Sequence, residues 1–218
     1  MKISCVIPAY NESQNIIRVI DKVKPLVDEI IVVDDCSKDN TYELAKSKGV
    51  IALRHPINRG QGAALQTGDE YALLNGADII VHFDADDQFK AEEISSLTEP
   101  IIRQEADAVF GSRFLGYANF PFTKRVIIMP LARIINRFFG IKLSDPQSGF
   151  RALNRSTLEK IKIENRGMAH CSEILYKTIH SGARVTEVPI TVTYHEFGQS
   201  FGGGFKIIKD LLIHNFIK

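Results

Sequence analysis

Three cysteines in 218 residues, Cys5, Cys36 and Cys171, are too few and too scattered to staple a fold, and none is paired at metal-ligand spacing. All three read as reduced thiols of a cytoplasmic protein, with Cys5 as plain core of an apolar strand. Nowhere do 18 uncharged apolar residues run together, so no segment is expected to cross a bilayer. The opening "MKISCVIPAYNE" turns polar at once and lacks a signal-peptide core. Repeats and low-complexity tracts are absent, and "FGGG" (201–204) is the one hinge-like stretch. There is no GxxxxGK[ST] phosphate loop, zinc-ligand spacing, nucleophile elbow or basic–aromatic stripe for nucleic acid. "RGQGAALQTG" (59–68) holds a GxG without the third glycine and follows a third strand, so it is not a dinucleotide fingerprint.

What the chain does have is charge of each sign gathered in different halves. Its net charge of +1, with 44% hydrophobic and 24% charged residues, is that of an ordinary globular protein, and the length suits one domain. Residues 1–119 nevertheless carry 12 Lys and Arg against 19 Asp and Glu, while residues 120–218 carry 15 against 7. An acidic half fit to hold a cation precedes a basic half fit to meet an anion or an anionic membrane.

Through the first half, apolar runs alternate with helix-like segments. Strands are predicted at 3–9, 29–34, 50–54, 77–83 and 106–112, and helical periodicity fills 12–24, 39–48, 61–75 and 91–104. The alternation predicts βαβ units, hence an α/β fold with a single mostly parallel central sheet and helices on both faces. The runs are continuously apolar, as strands covered on both faces require. "KDNT" and "FKAEE" supply helix starts. After residue 113 come an amphipathic stretch (124–139), "DPQSGFRAL" (145–153), a helix (169–181), two strands expected to pair antiparallel (184–189 and 190–195) and an apolar tail. Ligands of open α/β sheets bind beyond the carboxyl ends of the strands. "PAYNE" (8–12), "DDCSKDNT" (34–41) and "DADDQ" (84–88) all fall there.

In "HFDADDQF" (82–89), extended backbone through Asp86 would set Asp84 and Asp86 on one side and turn Asp87 away. Two carboxylates facing one point need protons or a cation. Mg²⁺ or Mn²⁺ suits them, held by one or two carboxylates and completed by waters and a substrate diphosphate. Two other readings stay open. The acids can cap the helix at "KAEEISSL", or belong to a phosphatase with an aspartate nucleophile, although such sites continue with Thr or Val where Asp87 and Gln88 stand. A calcium loop fits poorly, because Phe89 occupies the position of its turn glycine.

In this order and spacing, "VIPAYNE", "IIVVDDCSKDNT", "NRGQGAALQTG" and "FDADDQF" resemble the family 2 glycosyltransferases. "GSRF" (111–114) and "DPQSGFRAL" are similar to the branch that acts on dolichyl or polyprenyl phosphate, and the likeness covers roughly residues 3–200. The resemblance implies a GT-A domain over 1–200, with 1–119 handling nucleotide sugar and metal, 120–200 the acceptor, and 201–218 a tail. It further implies a nucleotide-sugar donor (GDP-mannose or UDP-glucose are the first to consider), a divalent metal and inversion at the anomeric carbon. Carried over by position, Pro8, Ala9, Tyr10 and Glu12 line the nucleoside pocket, and Asp35, with Asp34 behind it, meets the base or ribose edge. Asp84 lies near the ribose and diphosphate and beside the metal, Asp86 and Gln88 are metal ligands, Arg113 reaches the acceptor phosphate or departing diphosphate, and Asp145 sits near the acceptor. The plainer alternatives make Tyr10 core, Asp34 a support and Arg113 a surface ion pair. A lipid phosphate is already anionic and needs no general base; a saccharide or lipid hydroxyl would call on Asp145 or Asp87. A non-catalytic nucleotide-sugar-binding module is a third reading, opposed by the intact acidic motif, Gln88, Arg113 and Asp145.

On a helical wheel, 124–139 puts Ile127, Ile128, Leu131, Ile134, Ile135, Phe138 and Phe139 on one side and Arg125, Arg133, Asn136 and Arg137 on the other. Such a helix lies in a membrane interface or packs on a core with a solvated basic face, and Pro130 kinks or starts it. The interfacial reading makes Arg125 and Arg133 candidates for the acceptor phosphate. "HEFGQSFGGG" (195–204) departs from the Arg-x-x-Gly-x-Ser-Lys-like segment of related enzymes. Gly198 and Ser200 match, His195 replaces the arginine, and Phe201 stands at the lysine, with Lys206 as its stand-in. His195 and Ser200 are therefore acceptor-side candidates. The transmembrane helices that many relatives carry after the domain are missing here. The expectation is a peripheral protein at the cytoplasmic membrane face, a shortened chain, or a homodimer or membrane-subunit partner completing it.

Overall fold

A computed structural model describes residues 1–115, 143–167 and 169–193. Its strands are β1 (Ile3–Ala9), β2 (Glu29–Asp34), β3 (Ile51–Arg54), β4 (Ile79–His82), β5 (Ala108–Ser112), β6 (Arg151–Asn154) and β7 (Val185–Pro189). The helices are α1 (Ile16–Val23), α2 (Thr41–Ser47), α3 (Gln61–Leu74), α4 (Ile94–Ile102), α5 (Arg155–Leu158) and α6 (His170–His180). The strands form one sheet in the order β3-β2-β1-β4-β6-β5-β7. β3, β2, β1 and β4 run parallel, β5 and β7 run parallel, and β6 runs against both β4 and β5.

Period two within each apolar run explains the layers. In β1, Cys5 and Ile7 point to the side covered by α1 and α4, where Ile16, Val19, Ile20, Ile94 and Leu97 meet them. Val6 points to the other side with Ile31, Val33 and Ile80, covered by Ala64, Leu65 and Ala72 of α3 and Ile174 and Leu175 of α6. Each such aliphatic side chain contributes about 1.5–3 kcal/mol by leaving water. α3 lies so close to the sheet that a Cβ on Gly68 would stand 2.3 Å from Val6 Cγ1. Among the described residues no helix is long and apolar enough to cross a membrane.

Two expectations at the second half change. The segment "DPQSGFRAL" contains a strand, β6, inserted between β4 and β5 with Arg151 opposite both His82 and Phe110. Its four residues begin with a buried arginine, so no apolar run announces it. Among the described residues, which reach Thr193, the antiparallel pair expected at 184–195 is absent. β7 joins β5 in parallel, and Ile190 N–H continues that ladder to the Ser112 carbonyl at 3.0 Å, because nothing at 189–190 turns the chain back. Val192 instead bridges Phe89, and Thr193 N–H donates to the Gln88 carbonyl at 2.9 Å.

Candidate active site

The carboxyl ends of β1, β2 and β4 share one edge of the sheet, since Ala9 pairs with Asp34 and Val6 with His82. Being antiparallel, β6 starts at that edge, so the turn Asp145–Phe150 arrives there too. After β1, Asn11 takes a left-handed φ of 57°. It fixes the loop by accepting from Lys38 N–H at 2.8 Å through its side chain and donating its own N–H to Ser37 Oγ at 2.9 Å. Tyr10 is left 43% exposed at the surface, beyond Pro8 and the buried Ala9. Glu12 accepts from Asn15 Nδ2 at 2.8 Å. Its carboxyl is raised above the usual range, mainly by burial, against the pull of Asn15 and with a further push from Asp39 and Asp84.

The two aspartates after β2 are turned inward. Asp35 Oδ1 accepts from Arg59 N–H at 2.8 Å and lies 2.7 Å from His55 Nδ1, while Oδ2 accepts from Gly60 N–H at 2.6 Å. Gly60 has φ 91° and starts α3, so Asp35 pins the entry to that helix. Asp34 is wholly buried. Its Oδ2 meets Arg54 Nε and Ser37 N–H, both at 3.2 Å, and its Oδ1 has no partner among the described residues.

β4 ends at His82, so the acidic motif is a turn and not the extended strand expected. Its acids are nonetheless separated by environment. Asp87 adopts φ 60° and goes to α1, where Arg18 Nε donates at 2.8 Å and Lys22 Nζ at 2.6 Å. Asp84 and Asp86 stay behind, half-buried. Asp84 Oδ1 accepts from Gln61 Nε2 at 2.9 Å, and a Cβ on Gly149 would lie 2.6 Å from Oδ2, so any larger residue there would have to displace the Asp84 carboxylate. Burial pushes the Asp84 carboxyl up, opposed first by Arg151 and then by His170, His82 and Arg113. Asp86 is pushed up to about 6 by burial and then by Asp84, with Gln88 N–H (3.2 Å) opposing. Asp84, Asp86 and Gln88 offer oxygens of the hard kind that Mg²⁺ or Mn²⁺ prefers, and the unrelieved repulsion between the two acids is what a cation would relieve. No cluster of three or more His, Cys, Asp or Glu at metal-holding distance occurs among the described residues, so substrate oxygens and water would have to fill the remaining positions.

Across the edge, Arg113 grips Asp145 at two points, Nε to Oδ2 at 2.6 Å and Nη2 to Oδ1 at 2.7 Å, and adds its backbone N–H at 3.1 Å. Glu187 of β7 holds the Asp145 loop through the N–H groups of Ser144 and Asp145, at 2.7 and 3.0 Å. Arg113 keeps 24% exposure against 1% for Asp145, so the arginine faces outward on a buried anchor. Arg125, Arg133, His195 and Ser200 lie outside the described residues.

Sequence reasoning missed a relay beneath Asp84. Arg151 Nε can only donate, and it points at His82 Nδ1 at 2.9 Å; His82 Nε2 therefore carries the ring proton and donates to Asp69 Oδ1 at 2.8 Å. Burial lowers the His82 pKa, keeping the ring neutral between the two charges. The signal was a histidine and an arginine at core-facing strand positions, which a periodicity scan treats as strand ends.

The sequence model of glycosyl transferase family 2 matches residues 4–162. The chain belongs to glycosyl transferase family 2. This family 2 enzyme is 36% identical to the UDP-N-acetylglucosamine–dolichyl-phosphate N-acetylglucosaminyltransferase of Methanococcus voltae, over 95% of this chain and 94% of that one. It is 32% identical to polyprenol monophosphomannose synthase of Mycolicibacterium smegmatis, over 93% and 81%. Among solved structures it matches glucosyl-3-phosphoglycerate synthase from Mycobacterium tuberculosis, in complex with Mn²⁺ and UDP-glucose, with a TM-score of 0.75 over 97% of this chain and 76% of that one. At 23% identity that match speaks for the fold alone, and the fold is GT-A.

Proposed function

We propose that this enzyme is a metal-dependent, inverting hexosyltransferase that moves a sugar from a nucleoside diphosphate to a polyprenyl or dolichyl phosphate. The observation that carries the reading is the pairing, at one sheet edge, of the repelling Asp84 and Asp86 with the outward-facing Arg113 on its Asp145 anchor. Asp86 and Gln88, with Asp84 beside them, would hold Mg²⁺ or Mn²⁺, which when bound offsets negative charge on the departing diphosphate. Tyr10 offers an exposed ring to the base, and Glu12, with Pro8 and Ala9, bounds the ribose side. Arg113 supplies a preorganised positive charge to the acceptor phosphate or leaving diphosphate. An acceptor phosphate oxygen attacks the anomeric carbon as the bond to the diphosphate breaks, so the configuration inverts and no proton has to be removed.

That last point favours phosphate over hydroxyl acceptors. Both Asp145 oxygens are engaged by Arg113, and both Asp87 oxygens by Arg18 and Lys22, so neither is placed as a base. The lipid-phosphate acceptors named for the relatives support the same choice. Asp35 enters this reading as the residue that sets α3 and Gln61 against Asp84 rather than as a direct nucleotide contact. On the acceptor side the reading assigns Arg125, Arg133, His195 and Ser200 to the lipid phosphate, with peripheral attachment at the cytoplasmic membrane face. A thermal-shift panel of GDP-mannose, UDP-glucose and UDP-N-acetylglucosamine with and without Mn²⁺ tests the core claim. At 100-fold excess over Kd one donor should stabilise by about 2.7 kcal/mol, with Mn²⁺ required. If none moves Tm, the reading fails.

A further inference from the structure

One flank of α1 carries a polar line that ends in the acidic loop. The helix buries Ile16, Val19, Ile20 and Val23 under the sheet. Asn15 at its N-cap, then Arg18 and Lys22, recur at spacings of three and four, which stacks them along a second side. Glu12 Oε2 accepts from Asn15 Nδ2 at 2.8 Å, Asn15 Oδ1 accepts from Arg18 Nη2 at 2.7 Å, and Arg18 Nε donates to Asp87 Oδ2 at 2.8 Å. Lys22 Nζ donates to the other oxygen, Asp87 Oδ1, at 2.6 Å. Asp87 needs what this flank supplies. Its side chain is 5% exposed, and a buried carboxylate without cations would be costly. Its φ of 60° is left-handed, a conformation that favours glycine and that Asp keeps only where its surroundings hold it. The ends of the loop are fixed elsewhere: the Phe83 and Phe89 rings meet edge to face at 5.8 Å, and both meet Phe150, at 5.1 and 5.0 Å. Between those ends the pull on Asp87 sets the turn. Asp86 and Gln88 stand on either side of it, with Gln88 N–H closing back on Asp86 Oδ1 at 3.2 Å.

We propose that Arg18 and Lys22 are positioning residues of this enzyme: acting through Asp87, they hold the turn that presents Asp86 and Gln88. The inference rests on the reading in which Asp86 and Gln88 take a divalent metal. Neither cation has to touch metal or donor. Groups that orient metal ligands from behind are worth about 10–100-fold in metal affinity. The two cations do different work. Asn15, itself held by Glu12, orients the Arg18 guanidinium, so Arg18 bridges helix and loop with two points of its fork, whereas Lys22 is a single point charge. A lysine at position 18 would reach Asp87 or Asn15 but not both.

The test compares wild type, Arg18→Gln and Arg18→Gln/Lys22→Gln as folded full chains. Without metal, hydrogen exchange read by mass spectrometry should speed up about tenfold in the peptide spanning 84–88 of the double variant, with β1 and β2 amides unchanged. Mn²⁺ affinity, read from the electron paramagnetic resonance signal of the free ion in the presence of the donor that stabilises wild type, should fall about 10-fold or more. Arg18→Lys should recover only part of it. Because Arg18 acts through Asp87, adding Arg18→Gln to Asp87→Asn should move neither readout further. The proposal is overturned if the folded double variant keeps wild-type loop exchange and Mn²⁺ affinity, whatever happens to Tm, or if the Arg18 and Asp87 changes add in full. Wild type that binds no Mn²⁺ with any donor sinks the metal reading instead, and the metal-free exchange then decides the role of the cations alone. Should the double variant fail to fold, Arg18→Gln is judged by the same two readouts.

Discussion

Asp86 lies where negative charge accumulates, with one backbone N–H from Gln88 to offset it. Held at about 6 instead of 3.8, the carboxyl binds its proton more tightly in the folded than in the unfolded chain. Ionised Asp86 therefore costs the metal-free folded state about 2–3 kcal/mol. The cost is present above pH 6 and disappears as pH falls below the ordinary carboxylate range. Asp86→Asn should raise the metal-free Tm by about 4–12 °C at pH 7.5 and by little near pH 4, while abolishing transfer and the Mn²⁺-dependent shift; calorimetry beside a donor-hydrolysis assay checks both. The sequence shows that Asp84, Asp86 and Asp87 share a loop. It cannot show which is neutralised, because Arg18 and Lys22 arrive from 69 and 65 residues away. Asp35 is harder still: its partners His55, Arg59 and Gly60 leave no local pattern, so an inward-facing carboxylate reads the same as a ligand-facing one.

At the scale of elements, long apolar runs were legible and short mixed ones were not. β1 and β2 fall where the sequence puts them, because six or seven core-facing residues in a row leave little choice. α1 begins at Ile16 rather than 12, since Glu12 C=O closes a turn by accepting from Asn15 and Ile16 N–H. β6 stayed hidden behind its arginine, and β7 found β5 through contacts at its far end. There Asp107 accepts from Arg184 Nε at 2.9 Å and Nη2 at 3.0 Å, and from Asn154 Nδ2 at 3.1 Å, tying the ends of β5, β6 and β7 together. The hydrogen bonds from Arg184 hold Asp107 down at about 2 despite some burial. Its folded value is below the unfolded one, so its stabilisation is complete above about pH 4 and is lost as pH falls through 2. Asp107→Asn should lower Tm by about 1–3 °C at pH 6, and the gap to wild type should close in scans taken between pH 4 and 2.

At the scale of the molecule, α/β class and parallel majority followed from the alternation of runs, because strands covered on both faces must be apolar throughout. Strand order did not, and β6 shows why. β5 follows β4 along the chain yet is separated from it in the sheet by a strand some 70 residues later, with His82 and Phe110 both opposite Arg151. A nascent chain that has made β1 to β5 therefore has no seat for β5 until residues 151–154 emerge. Pulse-labelled hydrogen exchange during refolding should protect β1, β2 and β4 amides first, and β5 and β6 together in a later, slower phase. Protection of β5 before β6 would show that β5 reaches its place unaided. The reversed strand that places Arg151 at the candidate edge would then also set the clock: the half of the sheet bearing Arg113 would be assembled last, and a chain released early would have its acidic loop without the arginine across from it.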